Sequence, residues 1–117
     1  MKTKLIEVGR VSVAGVQYSD YQKCKSIKAG QKVKLFWEKK NHYDPNAIRV
    51  DLNGIKLGYV PKGEFQDLLH EYLSMGIKVT TEIAAYNPTN PTWHMITIKF
   101  SAPKDIRFSE GSEESFD

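Results

Sequence analysis

Apolar and polar residues alternate along most of this chain, and the period turns helical only once. Residues 32–38 put Val33, Leu35 and Trp37 on one side and Lys32, Lys34 and Phe36 on the other, the period-two pattern of a strand. Residues 4–15 also alternate, through Ile6 and Val8 in one phase and Val11 and Val13 in the other. The flip at Gly9-Arg10 predicts a β-bulge that bends the strand. Two further strands are predicted over 77–86, through Ile77, Val79, Thr81, Ile83 and Ala85, and over 94–100, with Ile96, Ile98 and Phe100 inward. The helical period falls at Glu64–Met75, where Phe65, Leu68, Leu69, Tyr72 and Leu73 make one apolar stripe and Gly76 stands at the C′ position. His70 then lies on the polar, solvated side.

The middle of the chain, Asn41 to Tyr59, carries the strongest local signal. Asn53-Gly54 is the two-residue signal for a type I′ turn. Folding there sets Leu52 opposite Ile55, Asp51 opposite Lys56, Val50 opposite Leu57 and Ile48 opposite Tyr59. The apolar residues share one face, and Asp51 with Lys56 forms an opposite-charge pair on the other. The preceding stretch, Asn41 to Asn46, is a polar turn with one large aromatic, and its Asp44-Pro45 step favours turn initiation. Residues 16–31 read as a loop with one short helix around 20–27, and residues 87–92 as a connecting loop with two prolines. The sum is a mainly β (α+β) chain, a small, partly closed six-stranded barrel of the OB-like or SH3-like kind with one main helix.

A length of 117 residues suits one domain. No run of 18 apolar residues exists, and the N-terminus has no signal-peptide core, so no membrane partner is expected. A single cysteine, Cys24, excludes an internal disulfide and fits a reducing, cytoplasmic setting. Charge changes the picture more. Residues 1–100 hold 15 Lys/Arg and 9 Asp/Glu, whereas residues 101–117 hold 2 and 5. The expected division is a basic domain over 1–100 and an acidic tail over 101–117, flexible after Ala102-Pro103. Such a tail either solubilises or mimics nucleic acid. In the second case, removing it tightens binding at low salt.

No enzyme motif is present, and His42, His70 and His94 share no metal-ligand spacing, so neither catalysis, metal nor cofactor is expected. Nothing in the sequence brings Cys24 and His42 together as a nucleophile pair. What remains is aromatic residues interleaved with basic ones. Tyr18, Tyr21, Tyr43 and Trp93 fall in predicted loops, where a ring can stack on an unpaired base while lysines hold phosphates. Each ring can instead pack over a barrel end, the preferred reading for Tyr21 and Trp93. Asn41 and Asp44 can simply cap their turn, and Lys62 can be a solvated charge.

The run Asn41-His42-Tyr43-Asp44-Pro45-Asn46-Ala47-Ile48-Arg49-Val50 resembles the N-P-Y-D-x-N-A-I-x-V heart of the HIRAN domain. Gly54 and Leu57-Gly58-Tyr59-Val60-Pro61-Lys62 continue the likeness, and Val13-Ala14-Gly15-Val16-Gln17-Tyr18 resembles the family's V-x-G-x-x-Y strand end. The resemblance covers about residues 5–100 and implies a modified OB-like barrel. HIRAN domains occur at the N-terminus of a eukaryotic replication-fork remodeller and as stand-alone bacterial and phage proteins. In the remodeller the domain captures the 3′-hydroxyl end of single-stranded DNA. By resemblance, Tyr18 and Tyr43 stack on terminal bases, Asp44 accepts from the 3′-hydroxyl, Asn41 helps fix the end, and Lys62 contacts phosphate. Gln17 stands where the remodeller has an arginine that meets phosphate, His42 where proline is usual, and Tyr59 where the remodeller has histidine. No motor motif accompanies these residues, so a helicase or nuclease would act in trans. A protein-interaction module of the same fold, or a general single-strand binder without end preference, are the alternatives.

Overall fold

A computed structural model describes residues 4–103. Six strands run in chain order: β1 Leu5–Ser12, β2 Lys32–Trp37, β3 Ile48–Leu52, β4 Ile55–Tyr59, β5 Thr80–Tyr86 and β6 Ile96–Pro103. The helix α1, Glu64–Ser74, falls between β4 and β5. All pairings are antiparallel, in one sheet of order β1-β6-β5-β2-β3-β4. The sheet is not closed along its length. Its two edges meet at one point, where Ala14 and Tyr59 exchange both backbone hydrogen bonds at 2.8 and 2.9 Å. The result is mainly β and compatible with the OB-like architecture that the alternation implies.

The core forms because the inward residues of each strand reach the same interior. Ile48, Val50, Leu52, Leu57, Ile83, Ile96, Ile98 and Phe100 are almost wholly buried. Leu69 and Tyr72 of α1 join the same cluster. The bulge in β1 falls between Glu7 and Gly9, one residue earlier than the phase flip suggested. Ile6 is half exposed rather than inward. The stretch 16–31 forms two 3-10 turns, Val16–Tyr18 and Tyr21–Lys23, in place of one short helix. β5 starts at Thr80, after Ile77 and Val79, and β6 runs from Ile96 past Phe100 to Pro103, which pairs with Leu5. The acidic tail lies outside the described residues beyond that point.

The hairpin departs most instructively from its expected register. Asn53 and Gly54 take φ of 51° and 83°, as the type I′ turn needs, and Leu52 and Asp51 meet Ile55 and Lys56. Beyond them a bulge intervenes. Val50 pairs with Gly58 and Arg49 with Tyr59, in place of Val50 with Leu57 and Ile48 with Tyr59. The extra residue is Leu57, fully buried. The bulge turns β4 so that Tyr59 can reach Ala14, which a regular two-residue hairpin has no means to do. Asp51 also changes partner. Its carboxylate is buried and accepts two hydrogen bonds from the Arg49 guanidinium, at 2.9 and 3.1 Å, while Lys56 lies over the Tyr59 ring.

The helix stripe is rotated from the expected one. Gln66 is buried beside Leu69 and Tyr72, whereas Leu73 is exposed. Among the described residues no helix is long and apolar enough to cross a membrane.

Candidate nucleic-acid interface

The turn between β2 and β3 is held by side chains from three directions. Asn41 Oδ1 accepts from the backbone N–H of Tyr43 and of Asp44, at 2.8 and 3.0 Å. The Asp44 carboxylate then accepts from the Asn46 N–H at 2.9 Å. These are the Asx turns that asparagine and aspartate form readily. Trp37 donates its indole N–H to the Pro45 carbonyl at 2.8 Å, and a His70 ring nitrogen lies 2.7 Å from the Asn46 carbonyl. Trp37 and His70 also meet edge to face. His70 is therefore a strut for this turn and not the merely solvated side chain expected from the helical wheel.

Held this way, the turn leaves Tyr43 97% exposed, and Tyr43 lines a pocket of about 520 Å³ together with the 84% exposed Tyr18. Neither ring is packed away, so both are free to stack. Ala14, Ala47, Val60 and Pro61 supply apolar walls, and Lys56 and Lys62 supply charge. Asn41, Asp44 and Tyr59 also line this space. Six of the seven candidate residues thus come together. Gln17 does not line the pocket, and its side-chain oxygen accepts from the Thr92 hydroxyl at 3.2 Å. Tyr21 packs against the core, but Trp93 is 62% exposed, contrary to its expected packing role.

The chemistry of each polar group is now definable. Asn41 spends its oxygen on the turn and its amide on Glu38 Oε1 at 3.0 Å, so its part is to shape the loop. Asp44 keeps acceptor capacity, because each carboxylate oxygen takes more than one hydrogen bond. Its other oxygen accepts from the buried Gln66 amide at 3.2 Å. The Asn46 N–H first, then Gln66 and the nearby charges of Lys62 and His70, hold the Asp44 carboxyl below its ordinary value. The pocket therefore contains a fixed anion beside two cations. Tyr59 donates its hydroxyl to Glu38 Oε1 at 2.8 Å, which fixes its ring under Lys56, 4.6 Å from the ring centre.

Glu38 is the residue that sequence reading missed. It accepts from Asn41, Tyr59 and Arg49, and Arg49 in turn clasps Asp51. Burial alone would raise the Glu38 carboxyl, but these donors and the Arg49 and Lys56 charges together pull it below its usual range. Gln66 was missed as well. A polar residue on the apolar stripe of α1 was the only available sign of it. Cys24 shows the reverse of activation, since burial pushes its thiol up.

A pH prediction follows from the depressed carboxyls of Glu38 and Asp44. Their stabilising bonds are fully present above the unfolded-state values near 4 and are lost as pH falls through the lower folded-state values. Urea unfolding midpoints are expected to hold from pH 7 to 5 and to drop as pH falls below about 4. The Glu38→Gln variant, which keeps an acceptor but not the charge, is expected to show a shallower drop. An equal drop in both proteins would refute the role given to Glu38.

Comparison with known proteins bears on the fold and the family. No curated protein matches the sequence. A crystal structure of a protein from Lactobacillus plantarum superposes with a TM-score of 0.67 at 20% identity, covering 86% of this chain and 97% of that one. The HIRAN domain of human HLTF superposes with a TM-score of 0.63, also at 20% identity, covering 93% and 88%. At that identity the likeness is one of fold. The sequence model of the HIRAN domain matches residues 6–104, nearly the whole described chain, and the protein belongs to the HIRAN domain family.

Proposed function

We propose that this chain binds single-stranded DNA at its free 3′-hydroxyl end, and that it is a binding module with no catalytic role of its own. The family is known for DNA binding, which sets the class of ligand. One observation carries the finer reading: two exposed tyrosines line one pocket together with a fixed carboxylate and two lysines. Stacked bases need the rings, and phosphates need the lysines. The carboxylate is out of place for a backbone binder, because it repels phosphate. It suits a terminal hydroxyl, which donates to it in a charge-assisted hydrogen bond. Nothing in the pocket offers a fixed pattern of donors and acceptors for one base edge, so the reading carries no sequence preference.

The test is competition between a linear oligonucleotide and a circular strand of the same length and sequence. The linear strand is expected to compete and the circular one to compete poorly. Equal competition would mean a general single-strand binder. Lys62→Ala is expected to lower the slope of log affinity against log salt by about 0.7, the contribution of one phosphate contact on a single strand. An unchanged slope would remove Lys62 from the interface.

A further inference from the structure

A second concavity lies on the far part of α1 from the pocket. β2 and β5 pair only at Lys32 with Glu82 and Val33 with Thr81, and then part, while β2 continues beside β3 to Trp37. The opening between them is a groove of about 570 Å³, which Leu69 and Leu73 of α1 also line. Its apolar lining is incompletely covered: Phe36 is 42% and Leu73 47% exposed. Lys32, Lys34 and Lys78 line it too, and none of the three is in an ion pair among the described residues.

The groove thus asks for a segment that is acidic and carries apolar anchors. Residues 104–117 answer that description. They hold five acidic residues against Lys104 and Arg107, together with Ile106, Phe108 and Phe116. They also start close by. Ser101 pairs with Thr80 of the groove lining, and the described chain leaves two residues later at Pro103. Fourteen residues reach about 46 Å when extended, more than enough to cross β5.

We propose that residues 104–117 dock in cis on the lysine-lined groove between α1, β2 and β5, with an aromatic side chain against Phe36 and Leu73. This placement differs from competition for the aromatic pocket, since the two concavities share no lining residue. It also stands independently of DNA binding.

The experiment uses the full chain. A nitroxide is attached at Ser112→Cys in a Cys24→Ser background, and amide signals are compared with the reduced label. Backbone signals of Lys34, Phe36 and Lys78 are expected to lose most of their intensity, and the loss is expected to vanish in a Lys34→Glu/Lys78→Glu variant. Mixing labelled protein with isotope-enriched unlabelled protein is expected to produce no loss, as a contact within one chain requires. Loss centred on Tyr43 and Asp44, uniform weak loss, or loss only in the mixed sample would each overturn the proposal. Persistence of the groove signal loss after charge reversal would overturn its electrostatic basis.

Discussion

Replacing Tyr18 and Tyr43 together with alanine is expected to weaken binding of a single-stranded DNA end by about 2–6 kcal/mol, thirty-fold or more. Each ring is free of the core, so alanine removes stacking surface without opening a cavity. The unfolding free energy is therefore expected to stay within about 0.5 kcal/mol of the parent, as for other exposed substitutions. Tyr43 is the cleaner half of the experiment, because its ring makes no described contact and its backbone is held by Asn41. Phenylalanine at both positions keeps the ring face and is expected to retain most of the affinity. Anisotropy titration beside a urea melt measures both sides. Full affinity in the folded double-alanine variant would exclude the pocket as the binding site.

The second large effect concerns stability. Gly58→Ala is expected to cost about 3–5 kcal/mol, the sum of a strained backbone and an overpacked contact. Gly58 has φ 147°, and a Cβ there would lie 2.2 Å from the Ala14 carbonyl oxygen. That oxygen accepts from the Tyr59 N–H, so the clash strikes the one bridge that joins the two edges of the sheet among the described residues. Opening it would also move Ala14 and Tyr59, which line the pocket. Gly54→Ala is the control. Its φ is 83°, yet nothing lies within 4 Å of an added Cβ, so the cost is expected near 1 kcal/mol. Equal urea midpoints for the two variants would mean that the Ala14–Tyr59 bridge does not hold the sheet together.

The strands and the helix were legible because each has a plain period, and Asn53-Gly54 located its turn without ambiguity. The bulge at Leu57 was not legible. The apolar residues of a regular hairpin already match across the turn, and only the distant Ala14 makes a shifted pairing preferable. A tertiary contact therefore overrode a satisfactory local pattern. The same applies to Asp51, whose expected partner Lys56 sits opposite in register but yields to the two-pronged grip of Arg49. At the pocket, the NHYDPNA run announced its own turn and its exposed ring. The supports of that turn, Trp37, Glu38, Gln66 and His70, come from elements that only the fold brings together. Glu38 in particular is a charged residue at a strand end, where solvation is the ordinary expectation.

The proposed capture of a 3′-hydroxyl rests on Asp44, and the chemistry at that carboxylate gives the most direct test. Two labelled oligonucleotides of the same sequence, one with a free 3′-hydroxyl and one with a 3′-phosphate, are titrated at low salt against the parent protein and Asp44→Asn. The parent is expected to prefer the hydroxyl end by tenfold or more, because the phosphate brings charge against a carboxylate that is already ionised. Asp44→Asn is expected to bind both ends with nearly equal strength. Equal affinity of the parent for the two ends would contradict end capture and leave only stacking and charge.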